Sequence, residues 1–190
     1  AMNYFQEEMG DSVSVEIVEF SSGKDVNTAL AAGSIDFGLE GSCPASLAIA
    51  QDLGVELIWI HEVLGDVESL VATGTSGINT VADLKGKKVA VPFASTAHFS
   101  LLKAMENAGL SASDVTVLDM QPDKIYASWN SGDIDAAYIW EPTLSQLSNK
   151  KTVITSGELA KAGYMTSNVE VVRTKFAEAH PDIVRSEEHT

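Results

Sequence analysis

The chain has 190 residues, 45% of them hydrophobic, and a formal net charge of -15. That length suits one large or two small α/β lobes. No apolar run approaches the ~20 residues of a membrane helix, and the charge argues against nucleic acid and anionic membrane surfaces as partners. Cys43 is the single cysteine, so an internal disulfide is ruled out, and there is no CxxC, HExxH, Walker or GxGxxG motif.

Residues 4–9 read as the end of a helix closed by Gly10, and Val13, Val15, Ile17 and Phe20 as a strand. Ser21, Ser22 and Gly23 turn into a helix over 24–32, with Val26, Ala29 and Leu30 on its apolar side and Gly33 as its stop. A short strand over 35–39 meets the turn Glu40, Gly41, Ser42, Cys43, Pro44, and a helix of small residues follows over 45–52. Strands are expected over 55–60 and 69–73. Residues 75–88 are polar and rich in turn formers, and read as a crossing into a second lobe.

That lobe is organised around residues 88–109. Val89, Ala90 and Val91 form an apolar run without polar alternation, as in a strand buried on both faces. Pro92, Phe93 and Ala94 break the run and Ser95 is a good N-cap. Phe99, Leu102 and Met105 follow at helical spacing, up to Gly109. The first turn of this helix offers backbone N–H groups, the positive end of a helix dipole, the hydroxyls of Ser95 and Thr96, and the imidazole of His98. Such a turn suits a small oxyanion. Beyond it come a strand over 115–118, a helix over 123–130 stopped by Gly132, a strand over 136–140, and a helix from Pro142 to about residue 148. A strand over 153–155, a strand over 169–172 returning to the first lobe, and two helix starts separated by Pro181 complete the order. Helices alternating with short apolar strands predict mainly parallel sheets. Both ends read as truncated.

An internal echo points to function. Gly33, Ser34, Ile35, Asp36 are followed by Pro44, and Gly132, Asp133, Ile134, Asp135 by Pro142. Either helix–strand connections simply favour Gly and Asp, or two similar lobes aim a strand end and a helix start at a shared cleft, where open α/β sheets bind ligands. In the second case one lobe offers Gly41, Ser42 and Cys43, and the other Ser95, Thr96, Ala97 and His98. Tyr138 and Trp140 add an aromatic wall, and Glu141 and Glu40 add carboxylates. A small zwitterion fits such a pocket, its acid group on the helix starts and its amine near Glu40 or Glu141. An enzyme reading would make Cys43 a thiolate at a helix start with His98 as its base. His61, His98, His180 and His189 carry no metal-ligand spacing.

The run over 91–102, the Gly41–Pro44 turn, the helix end over 129–135, the run over 138–142 and the segment Val171, Val172, Arg173 with Phe176, His180 and Pro181 resemble the taurine-type substrate-binding proteins of ABC importers. The resemblance runs in order over nearly all of residues 1–185. Wider relatives bind aliphatic sulfonates, nitrate and thiamine-type pyrimidines. The resemblance implies an α/β, type II periplasmic-binding-protein fold. Residues 1–75 with 166–185 would form one lobe, lacking its first strand and last helices. Residues 76–165 would form the other, and 186–190 a non-native tail. It implies a small anionic or zwitterionic ligand held at Ser42, Cys43 and residues 95–98, with no cofactor, no catalysis and an ABC permease of the inner membrane as partner. The protein would be a monomer in the periplasm or another extracytoplasmic space, with a lipid anchor left open.

Two departures bear on the ligand. Asn168 stands where taurine binders carry an Asp for the amine, with Glu170 in place of an aromatic two residues on, and Cys43 stands where a Ser is common. A neutral amide gives an ammonium no charge-assisted contact. Either Glu40, Glu141 or Glu170 takes over, or the ligand is not taurine. The alternatives on this fold are a thiamine-pyrimidine-synthase-like enzyme, a nitrate- or pyrimidine-binding protein, and the effector-sensing domain of a transcription regulator.

Overall fold

The structure, a computed structural model, describes residues 14–187, with side chains through Arg185. The helix expected over 4–9 and Val13 lie outside these residues, as do 188–190. Two sheets form: a three-stranded sheet of β1 (Phe37–Gly41), β8 (Ser167–Arg173) and β2 (Val55–Val63) in that order, and a five-stranded sheet in the order β5 (Thr116–Asp119), β4 (Lys88–Val91), β6 (Ala136–Trp140), β3 (Glu68–Thr73), β7 (Lys150–Thr155). The chain crosses between the sheets twice, from β2 into β3 and back into β8. The crossings are tied together where the Leu64 N–H donates to the Thr166 carbonyl at 2.9 Å.

The crossings explain why the five-stranded sheet is mixed and the three-stranded sheet pairs antiparallel, rather than both being mainly parallel as expected. β4 pairs in parallel with β5 and β6, as the alternation with helices implies. The crossing strands enter from the other sheet and run the opposite way. β3 is antiparallel to β6 and β7, and β8 to β1 and β2. Expected with the first lobe, β3 instead sits inside the five-stranded sheet, its residues Glu68 to Ala72 all buried. The strand expected from Val13 to Phe20 does not form over residues 14–20. Alternation alone makes no strand without a hydrogen-bonding neighbour, none of the described strands pairs with this segment, and Ile17 is 85% exposed.

The helices follow local rules. α1 (Gly23–Ala32) buries Val26, Ala29 and Leu30, one stripe at helical spacing, and ends on Gly33 at φ 71°. α4 (Pro122–Ser131) ends the same way on Gly132 at φ 78°. The left-handed turn that needs a glycine is thus used at both places where the sequence repeats itself. α2 (Ser42–Ala50) follows β1, and the short α5 (Thr143–Gln146) follows β6, ending before the expected residue 148. The two echo segments are therefore one unit, helix, Gly stop, strand and helix, built once in each sheet. α3 (Thr96–Asn107) and α6 (Ser156–Lys161) pack on one face of the five-stranded sheet with Leu70, Val89, Val91, Leu101, Met105 and Tyr138. Ile125, Trp129 and Leu144 cover the other face against Val71, Ala90 and Ile139. α7 (Thr174–Ala179) and α8 (Pro181–Glu187) end the described chain on either side of Pro181.

Candidate functional site

A cavity of about 390 Å³ opens between the two sheets. The three-stranded side contributes the end of β1, the start of α1, and Glu62 and Asn168 of β2 and β8. The five-stranded side contributes Glu68, Ser95, Thr96, Trp140 and Glu141. The walls touch at the floor, because a Cβ on Gly41 would stand 2.8 Å from Thr96 Cγ2. Any larger residue at 41 would push the two walls apart.

The wall at α3 is held by its own hydrogen bonds. Ser95 caps the helix: its hydroxyl accepts from the His98 N–H at 3.1 Å and donates to the Pro92 carbonyl at 2.6 Å. Before it, Ala94 takes φ 62°, a left-handed conformation uncomfortable for any residue with a Cβ. The Thr96 hydroxyl donates to Glu68 Oε2 at 2.5 Å, and the Ser156 hydroxyl donates to Glu68 Oε1 at 2.7 Å. Glu68 is 1% exposed. Burial pushes its pKa up while the two hydroxyls pull it down. Both hydroxyls expected to face an anion are thus turned inward. With the His98 N–H taken by the cap, what this helix start keeps for a ligand is its dipole and its remaining first-turn N–H groups.

The other sequence-chosen residues divide. Glu40, Ser95, Thr96, Trp140, Glu141 and Asn168 line the cavity together, whereas Ser42, Cys43, Ala97, His98 and Tyr138 do not. Ser42 staples α2 to β8, its hydroxyl accepting the Ser167 N–H at 3.2 Å. The Cys43 thiol is pushed up to about 11, chiefly by burial and further by the nearby Glu68 carboxyl, the reverse of an activated nucleophile. Ala97 is fully buried under the sheet. The His98 ring stacks on Phe93 at 4.3 Å and its Nδ1 accepts the Ala94 N–H at 3.4 Å. Burial lowers its pKa, so it braces the turn as a neutral ring. Tyr138, expected on the aromatic wall, is fully buried in the core, its hydroxyl 3.0 Å from that of Ser156. Glu170 is not among the cavity-lining residues.

Among the described residues, four glutamates line the cavity, and no lysine, arginine or histidine does. Three of the four have hydrogen-bond donors. Glu68 has its two hydroxyls. Glu141 takes the N–H and hydroxyl of Ser145 at 2.9 and 2.7 Å, and Glu62 takes the Asn168 amide at 2.8 Å. Glu40 differs. It is 5% exposed, and neither carboxyl oxygen meets a donor among the described residues. Burial pushes its pKa up to about 8. Sequence reasoning missed Glu62 and Glu68. Glu68 had a signal, since a carboxylate leading directly into an apolar strand must find partners or stay outside.

The NMT1/THI5-like family model matches residues 1–186. The chain is 39% identical over 187 residues to the taurine-binding periplasmic protein of Escherichia coli K12, covering 98% of this chain and 57% of that protein. The crystal structure of the periplasmic aliphatic sulphonate binding protein SsuA from Escherichia coli superposes with a TM-score of 0.80 at 27% identity, over 96% of this chain and 62% of that one. The alkanesulfonate-binding protein SsuA from Xanthomonas axonopodis pv. citri, bound to MOPS, gives 0.81 at 27% identity, over 96% and 63%. The chain thus spans less than two thirds of each relative. Its two sheets carry the fold of the periplasmic sulfonate-binding proteins, and the chain belongs to the NMT1/THI5-like family.

Proposed function

We propose that the full-length protein is the extracytoplasmic solute-binding component of an ABC importer, holding taurine or a related small sulfonate between two lobes. The observation that carries this reading is the cavity itself. It lies where the two sheets meet, the start of a long helix lines it at Ser95 and Thr96, and glutamates line it on both walls. The lobes would divide with the sheets, residues 14–64 with 166–185 against 66–165, and the paired crossings at Leu64 and Thr166 would serve as the hinge. Closure on ligand would present the form that the permease recognises. The sulfonate would rest on the first-turn N–H groups of α3. The protein would act as a monomer, free in the periplasm or lipid-anchored. No helix among the described residues is long and apolar enough to cross a membrane.

The same site argues for binding over catalysis. The cysteine that could serve as a nucleophile holds its proton more tightly than a free thiol and does not line the cavity. Calorimetric titration of the full-length protein with taurine, ethanesulfonate and nitrate tests the reading. Saturable one-to-one binding of at least one sulfonate is the expected result. Binding of nitrate with neither sulfonate bound would overturn it.

A further inference from the structure

The three-stranded wall asks for a cation. Glu40 lies at the end of β1, beside Gly23 at the start of α1: a Cβ on Gly23 would stand 3.0 Å from Glu40 Oε2. Its two oxygens are buried, face no donor, and belong to a residue that lines the cavity. A buried carboxyl with no partner is costly unless something arrives to complete it. No side chain of the described wall residues does so. Asn168, the nearest cavity-lining amide on the neighbouring strand, already gives its Nδ2 to Glu62. The other charged groups that line the cavity are Glu62 on β2, Glu68 on β3 and Glu141 after β6, whereas Lys24 and Asp25 on α1, Glu56 and His61 on β2, and Glu170 and Arg173 on β8 do not line it, Asp25 taking the Ser22 hydroxyl and Arg173 pairing with Asp36. Every charged side chain that lines the cavity among the described residues is acidic, so none of them supplies the donor that a cationic ligand would bring. The described residues hold no group of three or more His, Cys, Asp or Glu that could hold a metal ion. That leaves an organic cation.

Resting on the sulfonate reading above, we infer that Glu40 is the specificity-determining residue of the site, seating the ammonium of an aminoalkanesulfonate whose acid group lies on the α3 helix start. The ligand is then a zwitterion rather than an unsubstituted sulfonate. The neutral Asn168 does not weaken this selection, because Glu40 stands on the adjacent β1, where Gly41 pairs with Asn168 and Glu40 with Val169. The high pKa of Glu40 fits the same picture: the free site keeps a proton there, and an arriving ammonium displaces it.

The test compares taurine with ethanesulfonate, which has the same acid group and no amine, on the full-length protein and its Glu40→Gln variant. The expected result is a taurine preference of about tenfold or more in the wild type, the size of one charge-assisted contact, with the ratio collapsing towards one in the variant. Equal or tighter binding of ethanesulfonate by the wild type overturns the inference and leaves the sulfonate reading standing. A taurine preference that survives in Glu40→Gln also overturns it, placing the ammonium elsewhere. Failure to bind either ligand overturns the sulfonate reading and the inference with it. A second measurement needs no variant. Wild-type calorimetry at pH 7 in two buffers of different ionisation enthalpy reads the protons exchanged. Proton release with taurine and none with ethanesulfonate is expected, and no release with taurine overturns the assignment.

Discussion

Two glutamates on facing walls of one cavity show how differently a fold can treat the same side chain. Glu68 and Glu40 are both almost wholly buried and both hold their protons more tightly than a free carboxyl. Glu68 is completed from within: Thr96 and Ser156 reach it from two helices, so it joins the five-stranded sheet to the helix layer above. Glu40 is left incomplete. The contrast separates architecture from recognition. A satisfied buried network specifies the fold, whereas an unsatisfied buried group is a vacancy for a partner.

The comparison breaks most visibly at Glu68. Glu68→Ala removes the acceptor of two buried hydroxyls and leaves a void, and should lower the unfolding free energy of the full-length protein by about 3 kcal/mol. Urea unfolding measures this, and a loss under about 1 kcal/mol would mean that the network contributes little to the fold.

Glu40→Gln should act with the opposite sign, and only at higher pH. The native carboxyl keeps its proton up to about 8, whereas an ordinary glutamate loses it near 4.5. Between those values the unfolded chain binds fewer protons than the native one, so wild-type stability falls as pH rises through that window. Glutamine carries no such penalty. The variant should equal the wild type below about pH 4.5 and exceed it by about 2–3 kcal/mol above pH 8 without ligand, the roughly 5 kcal/mol implied by a proton held from 4.5 to about 8 being reduced by solvent at the open cavity. Thermal unfolding across that range checks it, and a gap independent of pH would contradict the assignment.

Ser95→Ala gives the smallest effect and sharpens the picture of the α3 wall. Its hydroxyl is spent on the cap and on Pro92. Losing it should lower stability by about 1 kcal/mol while ligand affinity changes less than threefold. A loss of affinity well beyond that would show the hydroxyl turning to the ligand on closure.

Much of this was readable in the sequence, and what was not has physical reasons. The stops at Gly33 and Gly132, the cap at Ser95 and the apolar stripe of α1 are local, set by residues within a turn of one another. Strand direction is not local. The antiparallel pairing of β3 and β8 follows from the chain crossing between sheets, which no window of a few residues reports. The alternation over residues 14–20 satisfied half of what a strand requires and lacked the neighbour. At the site, Glu40, Trp140 and Glu141 could be named in advance because they stand at strand ends, and Asn168 through the resemblance to taurine binders. The destination of a hydroxyl proton could not, since Thr96 meets Glu68 across 28 residues of chain. The capping geometry that made Ser95 recognisable is the same geometry that removes its hydroxyl from the cavity.

The central claim is a ligand held by its two ends, acid group on the α3 start and ammonium on Glu40. A crystal structure of the full-length protein grown with taurine near pH 8 tests it most directly. The account expects the sulfonate oxygens on the first-turn backbone N–H groups of α3 and the ligand nitrogen within hydrogen-bond distance of a Glu40 carboxyl oxygen. A bound taurine whose nitrogen lies on Glu141 or in solvent, with Glu40 still lacking a partner, would contradict it.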